Sequence, residues 1–438
     1  MDFFGRTDQL AKLRALRARA DESSQFVILT GRRRVGKTEL VKQAFADAPF
    51  VYLFVSRKTE TELVASFVAE TNAVPGLHVS EDVHTISGFF GELFRLAETR
   101  PVTVFIDEFQ DFFRVNPSAF STLQGLWDRH RGRARIALVV CGSVHSLMTR
   151  IFQDRKEPLY GRGTAFIRLA PFTTSELRGL LARSKRNPAP EDLLSLWAIT
   201  GGIAKYVELL LDGGATDRDR AIRFVFDADS PFLDEGRLLL SDEFGPDSGT
   251  YFTILSAIAR GATTRNEIEQ AAGRAVGGHL TRLEEDYRLV AKRTPMFAKT
   301  SKILRYAIDD PFYLFWFRFA FKYDYMAQIG AWDNLRKIVR RDWDVFTGGA
   351  LERWFRAKLA ESGEWTRLGA WWDRKGENEI DIVAENELDG RAAFFEVKRD
   401  ARRFDEAALR RKADAFRAAT GAFRGCALEY RPHSLDDM

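Results

Sequence analysis

The sequence predicts an α/β protein whose first part is a parallel sheet carrying a phosphate-binding loop, and three observations carry that prediction. Short apolar runs alternate with helical patterns through the first 172 residues, as a parallel sheet with crossover helices requires. The run 26–29 leads directly into Gly31-Arg-Arg-Arg-Val-Gly-Lys-Thr38, which fits the phosphate-loop pattern G-x-x-x-x-G-K-[ST]. The run 101–107 ends in Asp107 and Glu108, two carboxylates at the carboxyl end of a strand, where open sheets of this class hold ligands.

Taken in order, Phe3-Phe4-Gly5-Arg6 reads as a turn into an amphipathic helix with Leu10, Leu13 and Leu16, ahead of the strand 26–29. In the loop, the backbone N–H groups of Gly31, Arg32, Arg33, Arg34, Val35 and Gly36 are expected to wrap phosphates. Lys37 would reach the terminal phosphates, the Thr38 hydroxyl would take Mg²⁺, and Glu39 opens the helix 39–45. ATP and Mg²⁺ are therefore the expected cofactors. A second buried strand spans 50–55. Helices follow at 60–71, with Leu63, Val64, Phe67 and Val68 on one face, and at 86–97.

The strand 101–107 resembles a Walker B element. Asp107 would hold Mg²⁺ through water while Glu108 polarises the attacking water, a division that needs adjacent carboxylates aimed differently. After a helix at 120–130, the strand 135–143 ends in Ser143, which is either a sensor beside the γ-phosphate or the cap of the next helix. Arg162 stands in the Gly-flanked turn Pro158-Leu-Tyr-Gly-Arg-Gly-Thr164, as an arginine finger, a phosphate contact or a solvated surface side chain. The last strand of this part is expected at 167–172. From 174 to 211 the pattern is helical (176–183, 191–199, 204–211), like a lid over the nucleotide, and Asp212-Gly-Gly-Ala-Thr-Asp217 marks a boundary.

These residues resemble the archaeal-type ATPase family in the AAA+ and STAND branch of P-loop proteins. The match lies in Phe4-Gly5-Arg6, the loop 31–38, Phe105-Ile-Asp-Glu-Phe-Gln110, Cys141-Gly-Ser143 and Leu159-Tyr-Gly-Arg162. The resemblance implies Lys37 and Thr38 on phosphate and Mg²⁺, Asp107 on Mg²⁺, Glu108 as base and Ser143 as sensor. It also implies a Gly-Gly-x-Pro turn near the adenine, which here reads Gly201-Gly-Ile-Ala204, without the proline.

In the second half, three short helices (250–260, 264–272, 278–286) and two paired strands (289–292, 303–308) make a winged helix, a helix-turn-helix variant whose third helix can enter a major groove. That helix offers His279 and Arg282 beside Glu284, Glu285 and Asp286. Acids repel phosphate, so an architectural or protein-docking role competes with groove reading. The segment 309–344 carries Phe312, Tyr313, Phe315, Trp316, Phe317, Phe319, Phe321, Tyr323 and Tyr325, as helical core or as a stacking platform for single-stranded nucleic acid.

The last hundred residues hold a second constellation. Glu352 lies on a helix at 351–359, Asp381 on a strand at 379–384, and Glu396 with Lys398 on one face of a strand at 391–398. This set resembles the PD-(D/E)XK nuclease fold. Asp381 and Glu396 would share a divalent metal that activates water, and Lys398 would stabilise charge on the phosphorane. From Lys398 through Arg424 nine Lys or Arg face four Asp or Glu, a net of +5 that could follow a nucleic-acid backbone or simply be solvated.

Composition narrows the classes. With 438 residues, several domains are expected, set at 1–172, 173–245, 246–310, 311–347 and 348–438. No apolar run is long enough to span a membrane and the amino terminus lacks a signal-peptide profile, so a cytoplasmic protein without membrane partners is expected. Two cysteines, both expected to be buried, cannot form a disulfide framework. The net charge of +4 does not by itself argue for nucleic acid, and the excess of Arg (50) over Lys (16) is as easily genomic as functional. The expected protein is an ATPase with an AAA+-like core, helical lid, winged helix and small α/β nuclease-like tail. Its nucleotide state would control how the tail meets DNA or RNA, with a nucleotide-dependent homo-oligomer as a further expectation. The alternative is a signalling ATPase switch with partner-binding modules and no cleavage.

Overall fold

A computed structural model describes residues 3–244, 247–298 and 303–438, which fold as two compact units, 2–170 and 171–438. The expected boundary between 245 and 246 lies outside the described residues, as do Met1 and Asp2.

The first unit is built on five parallel strands: β1 (Gln25–Gly31), β2 (Val51–Phe54), β3 (Val102–Asp107), β4 (Ile136–Gly142) and β5 (Ala165–Leu169), in the order β2-β3-β4-β1-β5. Strands covered on both faces must be apolar at every position rather than at alternate ones. β1 shows this: Phe26 and Ile28 enter a core with Phe67, Phe89, Phe94 and Trp127, while Val27 and Leu29 enter another with Leu13, Leu40 and Phe105. Each fully buried Leu, Val or Phe contributes about 1.5–3 kcal/mol. The helix Glu60–Asn72 begins on a reciprocal cap, with Thr59 accepting from the Glu62 N–H and the Glu62 carboxylate accepting from Thr59. The last strand ends at Leu169 rather than 172, because the Phe172 N–H bonds to the Gly202 carbonyl (2.8 Å).

In the second unit, helices Thr174–Ser184, Pro190–Thr200 and Ala204–Asp212 are followed by Arg218–Val225 and Pro231–Phe244. Ser248–Ala259, Arg265–Ala272 and Gly277–Glu285 then precede the antiparallel pair β6 (Val290–Arg293) and β7 (Arg305–Ile308). The aromatic segment is core: Phe312, Tyr313, Phe315, Trp316, Phe317 and Phe319 are buried, Tyr325 alone of the nine is exposed, and 316–321 winds as a π-helix. Gly236 lets Trp316 close in, since a β-carbon there would meet its ring at 2.4 Å. The six buried rings cannot stack on bases and serve as helical core.

One helix then runs unbroken from Trp332 to Glu361, so the boundary expected between 347 and 348 falls inside it. Gly348 and Gly349 each disfavour helix by about 1 kcal/mol. Trp343, Thr347, Ala350, Leu351, Trp354 and Phe355 outweigh this by burying one face, where the Trp197 indole bonds to the Ala350 carbonyl and packs edge-on against Trp354. The tail sheet has the order β11-β10-β9-β8, from β8 (Arg367–Trp372), β9 (Glu379–Asn386), β10 (Arg391–Lys398) and β11 (Ala427–Ser434). β8, β9 and β10 are antiparallel; β11 returns parallel to β10 through the helix Glu406–Thr420. Cys141 is buried, whereas Cys426 is only half-buried, and both are free. No helix among the described residues is long and apolar enough to cross a membrane.

Candidate functional site

The strand order places the ends of β1, β4 and β3 side by side, and the chemistry-bearing residues lie at those ends. The phosphate loop is anchored by Val35, 1% exposed, in the core beneath it. It turns through Arg34 (φ 69°) and Gly36 (φ 94°), left-handed conformations that aim successive N–H groups inward. Gly31 has no room for a side chain: a β-carbon would stand 2.5 Å from the Leu169 carbonyl oxygen. Arg33 and Arg34 are exposed and Arg32 half-buried, while Glu39 points outward from the first helical turn. Lys37 lies back across the loop, its buried ammonium donating to the carbonyls of Gly31 (2.9 Å) and Arg32 (2.8 Å).

The Thr38 hydroxyl donates to Asp107 Oδ2 at 2.6 Å. The Tyr52 hydroxyl reaches the same oxygen at 3.4 Å, and burial, then the Asp107 charge, raises its pKa. A hydroxyl and a carboxylate held together are hard oxygen donors that fit Mg²⁺. Among the described residues no three His, Cys, Asp or Glu side chains converge, so phosphate and water would complete such an ion's shell. Glu108 takes a left-handed backbone (φ 52°), a strained conformation for a non-glycine residue that turns its side chain away from that of Asp107. It accepts from Ser143 Oγ at 2.8 Å and from the Gln110 amide. Gln110 is 2% exposed and its Oε1 has no hydrogen-bond partner among the described residues. The helix after Ser143 is capped at Val144 without a side-chain bond, so the Ser143 hydroxyl serves Glu108 and not the cap.

Of the alternatives open for Arg162, its position in the first unit bears on the contact within its own chain. Arg162 precedes β5, where the Thr164 N–H bonds to the Phe26 carbonyl, so it sits at the opposite end of the sheet from the loop. At about 3.3 Å per residue from Phe26 to Gly31, roughly 16 Å separates the two ends. Its guanidinium is held by Asp128 (2.7 Å) and by the Pro158 and Tyr160 carbonyls. It cannot touch a phosphate in its own chain's loop. The proline absent from Gly201-Gly-Ile-Ala204 costs the turn little, because Ala204 simply occupies the first position of its helix.

In the tail, Glu352, Asp381, Glu396 and Lys398 come from one helix and two adjacent strands. Asp381 Oδ2 accepts the Val397 N–H (2.7 Å), and Arg356 donates to the Asp381 carbonyl (3.0 Å). Burial, then Asp381, pushes the Glu352 carboxyl up to about 7. Burial also raises Asp381. Burial acts to raise Glu396 too, but Lys398 and Lys412, each 3.0 Å from Oε1, hold it below its ordinary value. Glu396 thus faces two ammonium groups, and the three acids do not form a three-carboxylate cluster. Lys412 was not anticipated. Its signal was available, since Leu409, Lys412, Ala413 and Phe416 share one helical face and all but the lysine are core. The basic stretch is largely self-paired through Asp400–Arg402, Glu406–Arg410 and Asp414–Arg417, with Arg399 taken by Glu191 and Thr347.

The described parts of the connection between β6 and β7, 294–298 and 303–304, are tied to the tail. Met296 N–H bonds to the Ala370 carbonyl on the outer strand β8 (2.8 Å), the Trp372 indole donates to the Ile303 carbonyl, and Met296 and Phe297 join the tail core. Arg305 pairs with Glu379 and lies over the Trp372 ring. The helix Gly277–Glu285 spends Leu280 and Leu283 on the core and ties Glu284 to Lys292.

Residues 3–210 match the model of an ATPase domain predominantly from Archaea, and residues 316–409 match a family of archaeal and bacterial proteins of unknown function. An uncharacterized protein of Methanocaldococcus jannaschii is 27% identical over 403 residues, covering 89% of this chain and 87% of its own. A Walker-type ATPase of Pyrococcus abyssi superposes with a TM-score of 0.54 at 20% identity, over 72% of this chain and 96% of that one. That likeness speaks for the fold. The ORC2 protein of Aeropyrum pernix aligns more loosely, with a TM-score of 0.49 at 14% identity over 75% of this chain and 95% of its own.

Proposed function

We propose that the chain is an ATP-hydrolysing switch whose nucleotide state governs a nuclease-like tail acting on the phosphodiester backbone of DNA or RNA. The observation that carries the ATPase half is the paired contact Thr38–Asp107 and Ser143–Glu108. Lys37, Thr38 and the loop N–H groups would hold the phosphates of ATP, and Thr38 with Asp107 would hold Mg²⁺, which supplies charge neutralisation at the phosphates. Glu108, which accepts from Ser143, would take a proton from water. Arg162 would serve only a neighbouring copy, in a nucleotide-dependent homo-oligomer.

The tail half rests on Glu352, Asp381, Glu396 and Lys398 meeting at one end of a sheet in the order helix, three antiparallel strands, helix, parallel strand. The three helices and hairpin are proposed to be a winged helix that works as a brace, since Met296 and Ile303 between its two strands bond to Ala370 and Trp372 of β8. One set of contacts within the second unit supports a coupling of the helices after residue 173 to the tail. Glu191, on the lid helix Pro190–Thr200, holds Arg399, the residue after Lys398, and accepts from the Trp343 indole (2.8 Å).

The second reading, a regulatory ATPase without cleavage, is favoured by the lysine-capped Glu396. The test is incubation of the full chain with linear, circular and single-stranded DNA and with RNA, in Mg²⁺ or Mn²⁺, with and without ATP. Cleavage lost in Asp381→Ala and Lys398→Ala supports the nuclease. Intact ATP turnover with no cutting under any condition establishes the second reading.

A further inference from the structure

The exposed side chains Leu238, Tyr325 and Ile329, the open cavity of about 510 Å³ beside Gly214 and Phe224, and the buried Ser256 hydroxyl show nothing of what would occupy them. Lys412 is different, because its charge is directed at a named group. One carboxylate oxygen, Glu396 Oε1, carries two ammonium groups at 3.0 Å, one from β10 and one from the helix that follows it. Glu396 is 7% exposed, so this is not a casual surface pair. The Asp381 carboxylate is also close enough to interact with both lysines, so the two ammonium groups face two carboxylates, and neither lysine is bound to Glu396 alone. Lysine is a compact charge on a flexible stem, able to leave one oxygen for another without rebuilding its surroundings.

We propose that Lys412 is a second phosphate-holding cation of the tail, a positioning residue that caps Glu396 when the site is empty and moves to a phosphodiester oxygen when nucleic acid binds. This rests on the reading of the tail as a nucleic-acid site. Lys398 then remains with Glu396, and each partner keeps a countercharge in both states.

The test uses the full chain with Ca²⁺ in place of Mg²⁺, to separate binding from cutting. The affinity of a short fluorescein-labelled mixed-sequence DNA duplex, and of its single strand, is measured across a range of salt concentrations. Lys412→Ala is expected to reduce the slope of log affinity against log salt by about one, the loss of one phosphate contact. Lys412→Arg should keep the wild-type slope, and Lys412→Met, which retains the stem packing, should behave as Lys412→Ala. An unchanged slope in Lys412→Met overturns the inference while leaving the tail site standing, as does a loss that Lys412→Arg shares. No binding by the unmodified chain overturns both.

Discussion

Replacing Ser143 by Ala tests whether its hydroxyl acts through Glu108 or directly on phosphate. The hydroxyl donates to the Glu108 carboxylate at 2.8 Å, from a residue 9% exposed at the end of β4. A hydrogen bond to a charged acceptor contributes about 1.5–3 kcal/mol, and about 1.4 kcal/mol is tenfold in rate. If all of it is expressed in the transition state, Ser143→Ala lowers kcat by about 10- to 150-fold. Glu108→Gln removes the base, and the same Ser143→Ala change on that background should cost less than about threefold, because residues acting as one unit are not additive. The assay is steady-state ATP turnover by phosphate release for both single variants and the double, with nucleotide affinity measured separately. A further tenfold loss in the double variant would refute the reasoning and return Ser143 to an independent contact with the γ-phosphate.

Three other expectations follow from the geometry. Arg162→Ala should leave the nucleotide affinity of dilute single chains unchanged within about twofold and cost about 1 kcal/mol of stability through its bond to Asp128; a tenfold loss of fluorescent ATP-analogue binding would contradict its placement. Gly142→Ala puts a β-carbon 2.4 Å from Gln110 Oε1 and Met148 Sδ, so it should destabilise the first unit by about 1–3 kcal/mol in denaturant titration, and wild-type stability would show that Gln110 yields freely. His433 stacks between Phe355 and Phe395, and burial lowers its pKa to about 4. The unfolded chain therefore takes up the proton first, and stability is lost as pH falls from about 6.5 toward 4, with no His433 contribution above that window. His433→Phe should show a smaller drop in melting temperature between pH 7 and pH 5 than the unmodified chain; an equal drop would place the titration elsewhere.

The first unit was legible because its signals are local. A strand, a glycine-bracketed loop and a helix are contiguous, and period and composition report them without knowledge of distant partners. The acids Asp107 and Glu108 could be placed at a strand end for the same reason. The pairing of Ser143 with Glu108 was not legible, since it depends on β4 lying between β1 and β3, and strand order is not written in any one segment. The position of Arg162 was not legible either, because a Gly-flanked turn says that an arginine is displayed but not at which end of the sheet.

In the second half the limits are sharper. The helix Trp332–Glu361 passes through two glycines because Trp197 and Trp354 pack beside them, a contact between residues 157 positions apart. The use of Met296 and Phe297 as part of the tail core follows from packing alone.

The sequence alone determined the parallel sheet, the phosphate loop of Lys37 and Thr38, the two carboxylates after β3, and the candidates Glu352, Asp381, Glu396 and Lys398, because each is specified by neighbours along the chain. Tertiary structure decided which of them touch, that Glu396 is shared by Lys398 and Lys412, and that Arg162 lies at the end of the sheet away from the loop 31–38. Those facts depend on strand order and helix docking, where small packing energies between distant segments choose among arrangements that local pattern leaves equal.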